Sequence, residues 1–547
     1  MTMAAMAAGD TADDAPVPFP ASPQKTSSSV PIRSLLWSAA GVEAFLLALA
    51  VVAPLGGISQ TISPLARNWP VLLAPARALF GDRLVDGSVP PERGWPALAL
   101  FALLLLGATC VAVTAPLHAR RVAVADRRHL ALALGSAAVF GLTMVLLPSL
   151  PSDDVFSYIL YGRIAAVHHG NPLLSAPSAF TDDPFLRLVF WRGVRSVYGP
   201  AWLLLSTALT WAAEALGGSL TAYALLFKAL GFAAHLTNAA LIWMILGRLA
   251  PQRRLAGTLL YAWSPLCLLE FCASGHNDAV MLTFALLGIY CVLRRWEVAG
   301  LVAFGLSISI KYVLLALLPL YLVLVARELL ARRVSPQRVA VAVGWRVSVV
   351  AGVVVLTALP FWAGPVTFGS IVYSPPAQQL DNSLIEAVSW PLRSLVEGLG
   401  FSHAAAASSV QTLLKLAALA VFAVLWLRQL PRIRSLQGML AAWGWTLFWY
   451  ATIASGWFWP WYATWAIAVV ALLPWDELTT ATMLLSAGVL TLYAFLPLYA
   501  APVYGLRAWI AFGPALGFLL LRRWQGGVKT VWRTTALPRL GRVYRHV

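Results

Sequence analysis

PSDDVFSYILYGRIAAVHHGNPLLSAPSAFTDDPFLRLVFWRGVRSVYGP, residues 151–200, is a polar island in an apolar chain. It carries four aspartates, four arginines and two histidines, and it is too long to be a turn joining two membrane helices. Loops beyond ~15 residues without regular structure are uncommon and often functional. On either side lie repeated apolar runs of roughly 17–25 residues, the length a helix needs to cross a bilayer. Only 11% of the 547 residues are charged and 60% are hydrophobic, with a mean hydropathy of +0.76. A soluble chain is nearer ~25% charged. The expected fold is all-α, a polytopic transmembrane bundle of roughly 11–14 membrane segments with large extracytoplasmic loops, because lipid admits only helices or closed barrels.

The basic segment HARRVAVADRR, His118 to Arg128, is the clearest positive-inside signal. Placing it in the cytoplasm puts the 151–200 loop outside. Ala326–Arg338 and Arg522–Arg533 then both belong inside, which requires Leu301–Val325 to be two short segments meeting near Lys311. Gly305 and Lys311 favour such a break, since a lone lysine at mid-bilayer costs ~3 kcal/mol. The parity between Tyr198 and Arg254 does not close unless one of the two apolar runs there is re-entrant. Residues 1–30 read as a disordered cytoplasmic tail, 31–525 as the membrane domain with a second outer loop at 364–407, and 526–547 as a basic cytoplasmic tail.

The formal net charge of +17 does not indicate a nucleic-acid partner. The arginines sit mainly between apolar runs and in the C-terminal tail, where topology and anionic lipid account for them. Cys110, Cys267, Cys272 and Cys291 all lie in apolar runs without metal-ligand spacing, and packing explains them.

SDDVFSYILYGRIAAVHHGNPL, VYGPAWLLLS, GHNDAVMLTFALLG, SISIKYVLLALLPLYL and WFWPWYATWAIAVVAL occur in this order. Together they resemble the GT-C superfamily of integral-membrane glycosyltransferases, most closely the bacterial polyprenyl-phosphate-mannose-dependent α-mannosyltransferases. The resemblance implies a multi-pass plasma-membrane enzyme that takes a sugar, mannose by analogy, from a polyprenyl-phosphate donor. It also implies a glycan or glycolipid acceptor on the extracytoplasmic side, and an essential aspartate in the first large outer loop.

Such a transfer needs a carboxylate to take the acceptor hydroxyl's proton and fixed cations to meet charge gathering on the departing phosphate. The paired carboxylates of hydrolytic glycosidases are not required. Asp154 matches the family's aspartate and is expected as the base, with Asp153 as orienter or substitute. Ser152 is a good helix N-cap, so a purely local role for these acids is the competing account. Lys311 and Arg163 are the candidate cations for the donor phosphate. Tyr158, His276, Asn277, Asp278, Trp459 and Tyr462 are candidate substrate contacts, against capping for Asp278 and an interfacial aromatic belt for Trp459 and Tyr462. Glu270, less than two turns before GHND, is expected in the same polar pocket. No metal ligands are assigned; the aspartates could hold a divalent cation, but their spacing does not demand one. A secondary transporter or lipid flippase is the alternative function, though it leaves the aspartate-led outer loop unexplained.

Overall fold

The computed structural model describes residues 32–55, 61–85, 94–122, 124–498 and 502–535. The N-terminal tail expected at 1–30 lies outside them, as does 536–547 of the basic tail. Of the described residues 78% are helical, and no strand forms among them. Nine of their helices are long and apolar enough to cross a membrane, ten if one bent pair counts as a span. Asp278–Leu293 and Glu297–Ile310 are apolar but shorter, and belong to the same expected set of segments.

Three interruptions of regular helix position the site. The apolar stretch after Arg254 is bent by 50° between Pro251–Ala262 and Pro265–Ala273. It ends in a π-helical turn, Leu269–Ala273, a feature often found at functional sites. Gly275, at φ +72°, then reverses the chain into the helix Asp278–Leu293; a side chain would be strained in that conformation. The second interruption falls at Lys311. Glu297–Ile310 stops, Lys311 is extended at φ −152° and ψ 131°, and a 3-10 turn at Tyr312–Ala316 restarts the chain. The third is a π-helical turn at Tyr450–Ala454, which ends Leu436–Trp449 ahead of the WFWPWY segment.

The 151–200 island is only partly a loop. Its first part is a helix, Asp154–Ala166, in which every residue from Val155 to Ile164 is buried. The remainder lies over it, held from below by Arg163, whose guanidinium donates to Asp183 at 2.8 Å, to Glu214 at 2.6 Å and to the Tyr223 hydroxyl at 3.0 Å. The Asn171 side chain forms its own turn with the Leu173 amide at 3.0 Å and donates to the Phe361 carbonyl at 2.7 Å.

Of Tyr198–Arg254, Pro200–Ala215 is a 16-residue helix, and Leu220–Leu249 is a 30-residue candidate span. The expected second loop likewise contains structure, a 15-residue helix at Leu384–Gly398. The helices Pro336–Phe361 and His403–Arg432 bury only 17% and 6% of their apolar windows, which leaves most of their surface for lipid.

Candidate active site

A short strap places the two leading aspartates. The chain leaves the helix Arg127–Val145, and Ser149 pairs with Ile62 in an isolated bridge. Ser63 N donates to Pro148 O at 2.9 Å and Leu150 N to Thr61 O at 3.1 Å. The Thr61 hydroxyl then donates to Asp153 Oδ2 at 3.2 Å. Asp154 opens the next helix, its amide meeting the Ser152 hydroxyl at 3.3 Å. Both carboxylates line a cavity of ≈ 660 Å³ with Tyr161, Tyr198, Lys311, Trp459, Tyr462 and Trp465 on its wall. Ala53, Phe101, Leu147 and Leu496 give it an apolar side.

Asp154 accepts from the Tyr198 hydroxyl at 3.2 Å, and its side chain is 16% exposed. Burial is the main force on its proton and pushes its pKa up to about 6, while Lys311 and the Tyr198 hydrogen bond pull the other way. Asp153 is also raised by burial, with Thr61 opposing. A carboxylate held near 6 is a stronger base than an ordinary aspartate and still ionises at neutral pH.

Lys311 reaches the cavity because the helix before it stops. Its ammonium donates to both Asp278 oxygens, at 2.8 and 2.9 Å, and lies 5.2 Å from the Tyr462 ring centroid and 5.3 Å from that of Trp465. Asp278 also accepts from the Trp465 indole at 2.5 Å. Asp278, expected as a substrate contact, does not line the cavity. It is fully buried behind the wall, where it orients Lys311 and offsets part of its charge.

His276 and Asn277 are fully buried too, as is Tyr158. The His276 ring stacks on Trp461 at 4.0 Å, and its Nδ1 meets the Tyr158 hydroxyl at 3.2 Å. Burial, seconded by Lys311, holds its pKa well below the usual histidine value. Tyr158 packs edge-on against Tyr198 and Trp202, both at 5.0 Å. None of these three expected substrate contacts lines the cavity; they pack behind its wall. Arg163 is the other departure. Its three partners lie in the loop and neighbouring helices, it does not line the cavity, and its charge is spent on Asp183 and Glu214.

Trp459 and Tyr462 do line the cavity. Trp459 lies parallel to Trp461 at 5.2 Å and 9°, and Tyr462 stacks on Trp465 at 4.5 Å. A second anchor holds this aromatic segment in place. Asp381 bridges it through Asp381 N to Gly456 O at 2.8 Å and Phe458 N to Asp381 O at 2.9 Å. Arg507 grips the same turn, donating to Asn382 at 2.8 Å and to both Glu386 oxygens at 2.7 and 2.6 Å. Sequence reasoning missed Tyr198, Trp465 and Tyr493, although the first two stand inside motifs that were singled out. Among the described residues, no group of three or more His, Cys, Asp or Glu is placed to share a metal ion.

Residues 82–327 match the family model described as alpha-(1->6)-mannopyranosyltransferase, N-terminal domain. That stretch carries the aspartate-led helix, the buried GHND turn and Lys311. No curated protein and no solved structure matches the chain. The match spans less than half of the chain, and gives this all-α bundle of apolar helices a region similar to a mannosyltransferase-family domain.

Proposed function

We propose that the chain moves mannose from a polyprenyl-phosphate donor to a glycan or glycolipid acceptor on the extracytoplasmic side, with Asp154 as general base and inversion at the sugar carbon. The observation that carries this reading is the cavity itself, where a basic carboxylate and a lysine ammonium share one space with an aromatic wall and an apolar side. The acceptor hydroxyl loses its proton to Asp154 as its oxygen bonds to the anomeric carbon. The bond from that carbon to the phosphate oxygen breaks, and its electron pair leaves with the lipid phosphate. Lys311 stands where that added negative charge is met. The ion pair with Asp278 fixes the ammonium in advance, so little reorganisation is left for the transition state. Trp459 and Tyr462 offer ring faces to the sugar, and the apolar side accommodates the first isoprene units. Arg163 has no part in the chemistry; it holds the loop over the catalytic helix.

The test is transfer of labelled mannose from polyprenyl-phosphate mannose by the purified protein and its Asp154→Asn variant. Loss of transfer with retained folding and donor binding is expected. A variant that transfers at the wild-type rate would remove Asp154 from the chemistry.

A further inference from the structure

A row of tryptophans leads away from Asp154, and the proposed reaction uses only one of them. The His276 ring, whose Nδ1 lies 4.0 Å from Asp154 Oδ2, carries Trp461 stacked on its face at 4.0 Å. Trp459 lies parallel to Trp461 at 5.2 Å, Trp457 follows at 6.3 Å and Trp191 at 5.6 Å, and Phe190 ends the row 4.9 Å further on. All five rings line the cavity. Phe190 is 73% exposed, whereas Trp457 and Trp461 are 8% and 6% exposed, so the row runs from the base to the surface of the loop. An interfacial belt turns its rings toward lipid headgroups; these two turn inward. The row also joins parts far apart in the chain. Trp191 belongs to the loop over the catalytic helix, and Trp457 to the turn bridged by Asp381, where the Ser383 hydroxyl also donates to Gly456 O at 3.0 Å. Ile371, Ser374 and Pro375 of the second outer loop line the same cavity, and a side chain at Gly369 would meet the Arg195 guanidinium at 3.5 Å. This end of the cavity therefore lies between the two outer loops, whereas other elements make its apolar side.

We propose that Trp457 and Trp191 are acceptor subsites remote from the chemistry, which take the second and third rings of a linear oligosaccharide whose reacting end lies at Asp154. This rests on Asp154 being the base in that cavity. A pyranose ring carries C–H bonds on its faces and hydroxyls around its edge. An indole covers such a face and leaves the edge hydroxyls to water. Neighbouring indoles in the row are 5.2, 6.3 and 5.6 Å apart, comparable to the advance of one sugar unit, so each ring of a chain can meet its own indole. The donor's isoprene chain has the apolar side built by Ala53, Phe101, Leu147 and Leu496, which leaves the row to the acceptor. Both seats are set before the acceptor arrives. Arg507 fixes the Trp457 turn through Asn382 and Glu386, and Trp457 supports Trp191. Stacking reads ring faces and not the identity of hydroxyls, so chain length is sensed here while linkage is chosen nearer Asp154.

The test gives the purified full chain labelled polyprenyl-phosphate mannose and, as acceptors, linear mannosides of one, two, three and four rings. Wild-type kcat/KM should rise on the order of ten-fold with each added ring that covers an indole face, and should level off after the third. Trp191→Ala should lose the gain from the third ring and keep the gain from the second. Trp457→Ala should lose the gain from the second, and Trp457→Phe should keep part of it. Trp191 is half-buried on the loop and decides the matter if Trp457→Ala does not fold. Damage to packing alone would lower the rate on every acceptor alike. Gains per ring that stay at their wild-type ratios in these variants, with Asp154→Asn inactive, would overturn the subsites and leave the base assignment standing. A wild-type enzyme that does not distinguish the four acceptors would overturn them too, as would a raised donor KM in place of the lost gain, which would give the row to the lipid chain. Transfer by Asp154→Asn would instead remove the reading on which the subsites rest.

Discussion

Asp154 is the residue on which the chemistry turns, and its proton affinity gives two predictions of opposite sense. As a base it must be ionised, so transfer should fall as pH drops through about 6, the value to which burial raises it. A pH profile of kcat/KM with its acid limb near 4, where ordinary aspartates titrate, would contradict this. Stability runs the other way. A carboxyl whose pKa is raised in the fold binds its proton more tightly there than in the unfolded chain. Its ionisation therefore costs stability as pH rises from the unfolded value through about 6. Asp154→Asn cannot ionise, so it is expected to melt higher than wild type at pH 8 and to lose that advantage near pH 4. Melting curves at the two pH values check the sign.

Lys311 can be tested against its counter-ion. Lys311→Met strands the buried Asp278 carboxylate, which costs on the order of 3–5 kcal/mol when one partner of a buried pair is removed. Adding Asp278→Asn removes the stranded charge and should restore folding. Donor binding should stay weakened on the order of ten-fold or more in the double variant, the scale of a charge-assisted hydrogen bond. Donor affinity restored together with folding would show that Lys311 does not hold the phosphate.

Among elements, the start of the helix Pro200–Ala215 and the Lys311 break are locked together by close backbone approach. Gly199 donates its amide to Ile310 O at 3.0 Å, and a Cβ there would sit 2.1 Å from Ser309 O. Gly199→Ala must therefore push the VYGP turn away, taking Tyr198 from Asp154 and shifting the backbone beside Lys311. A loss of about 1–3 kcal/mol is expected from overpacking, with a larger loss of transfer than of donor binding. Arg163→Met should behave differently. It takes the guanidinium from the buried Asp183, which keeps only its contact with His168 as an ion pair, so the melting temperature should fall, yet donor KM in the folded fraction should hold because the guanidinium lies outside the cavity.

These elements also mark how far the sequence could be read. The polar island, the chain break at Lys311 and the start of a helix at Asp154 follow from local pattern, because charge within apolar runs and capping residues act over a few positions. What pattern could not supply is pairing across distance. Lys311 meets Asp278 across 33 residues, Tyr198 meets Asp154 across 44, and Arg163 meets Glu214 across 51. Arg163 and a phosphate-binding arginine look alike in sequence, and only packing shows that its acids lie within its own loop and next helix. Asp278 was legible as polar and near a helix start, but its role as the lysine's counter-ion depends on Trp465 arriving from far along the chain.

At the scale of the whole molecule, the proposed side of the membrane can be checked directly. Thr181 is exposed on the loop over the catalytic helix. In intact cells, Thr181→Cys should react with a membrane-impermeant maleimide added from outside, above the background of the parent chain. Labelling only after the membrane is opened would place the cavity on the cytoplasmic face and end the proposed orientation.

The thinly covered rim has a practical consequence. The helix His403–Leu427 is tied to the body partly by the Trp426 indole donating to Ala316 O at 3.0 Å, on the turn that immediately follows Lys311. Lys415 and Gln411 add bonds to the Ala377 and Gln378 carbonyls, and Phe422 packs edge-on against Tyr450. Short-chain detergent should peel this edge first and slacken the lysine's anchorage, so preparations in nanodiscs ought to keep an activity that micelles lose while most of the helix content persists.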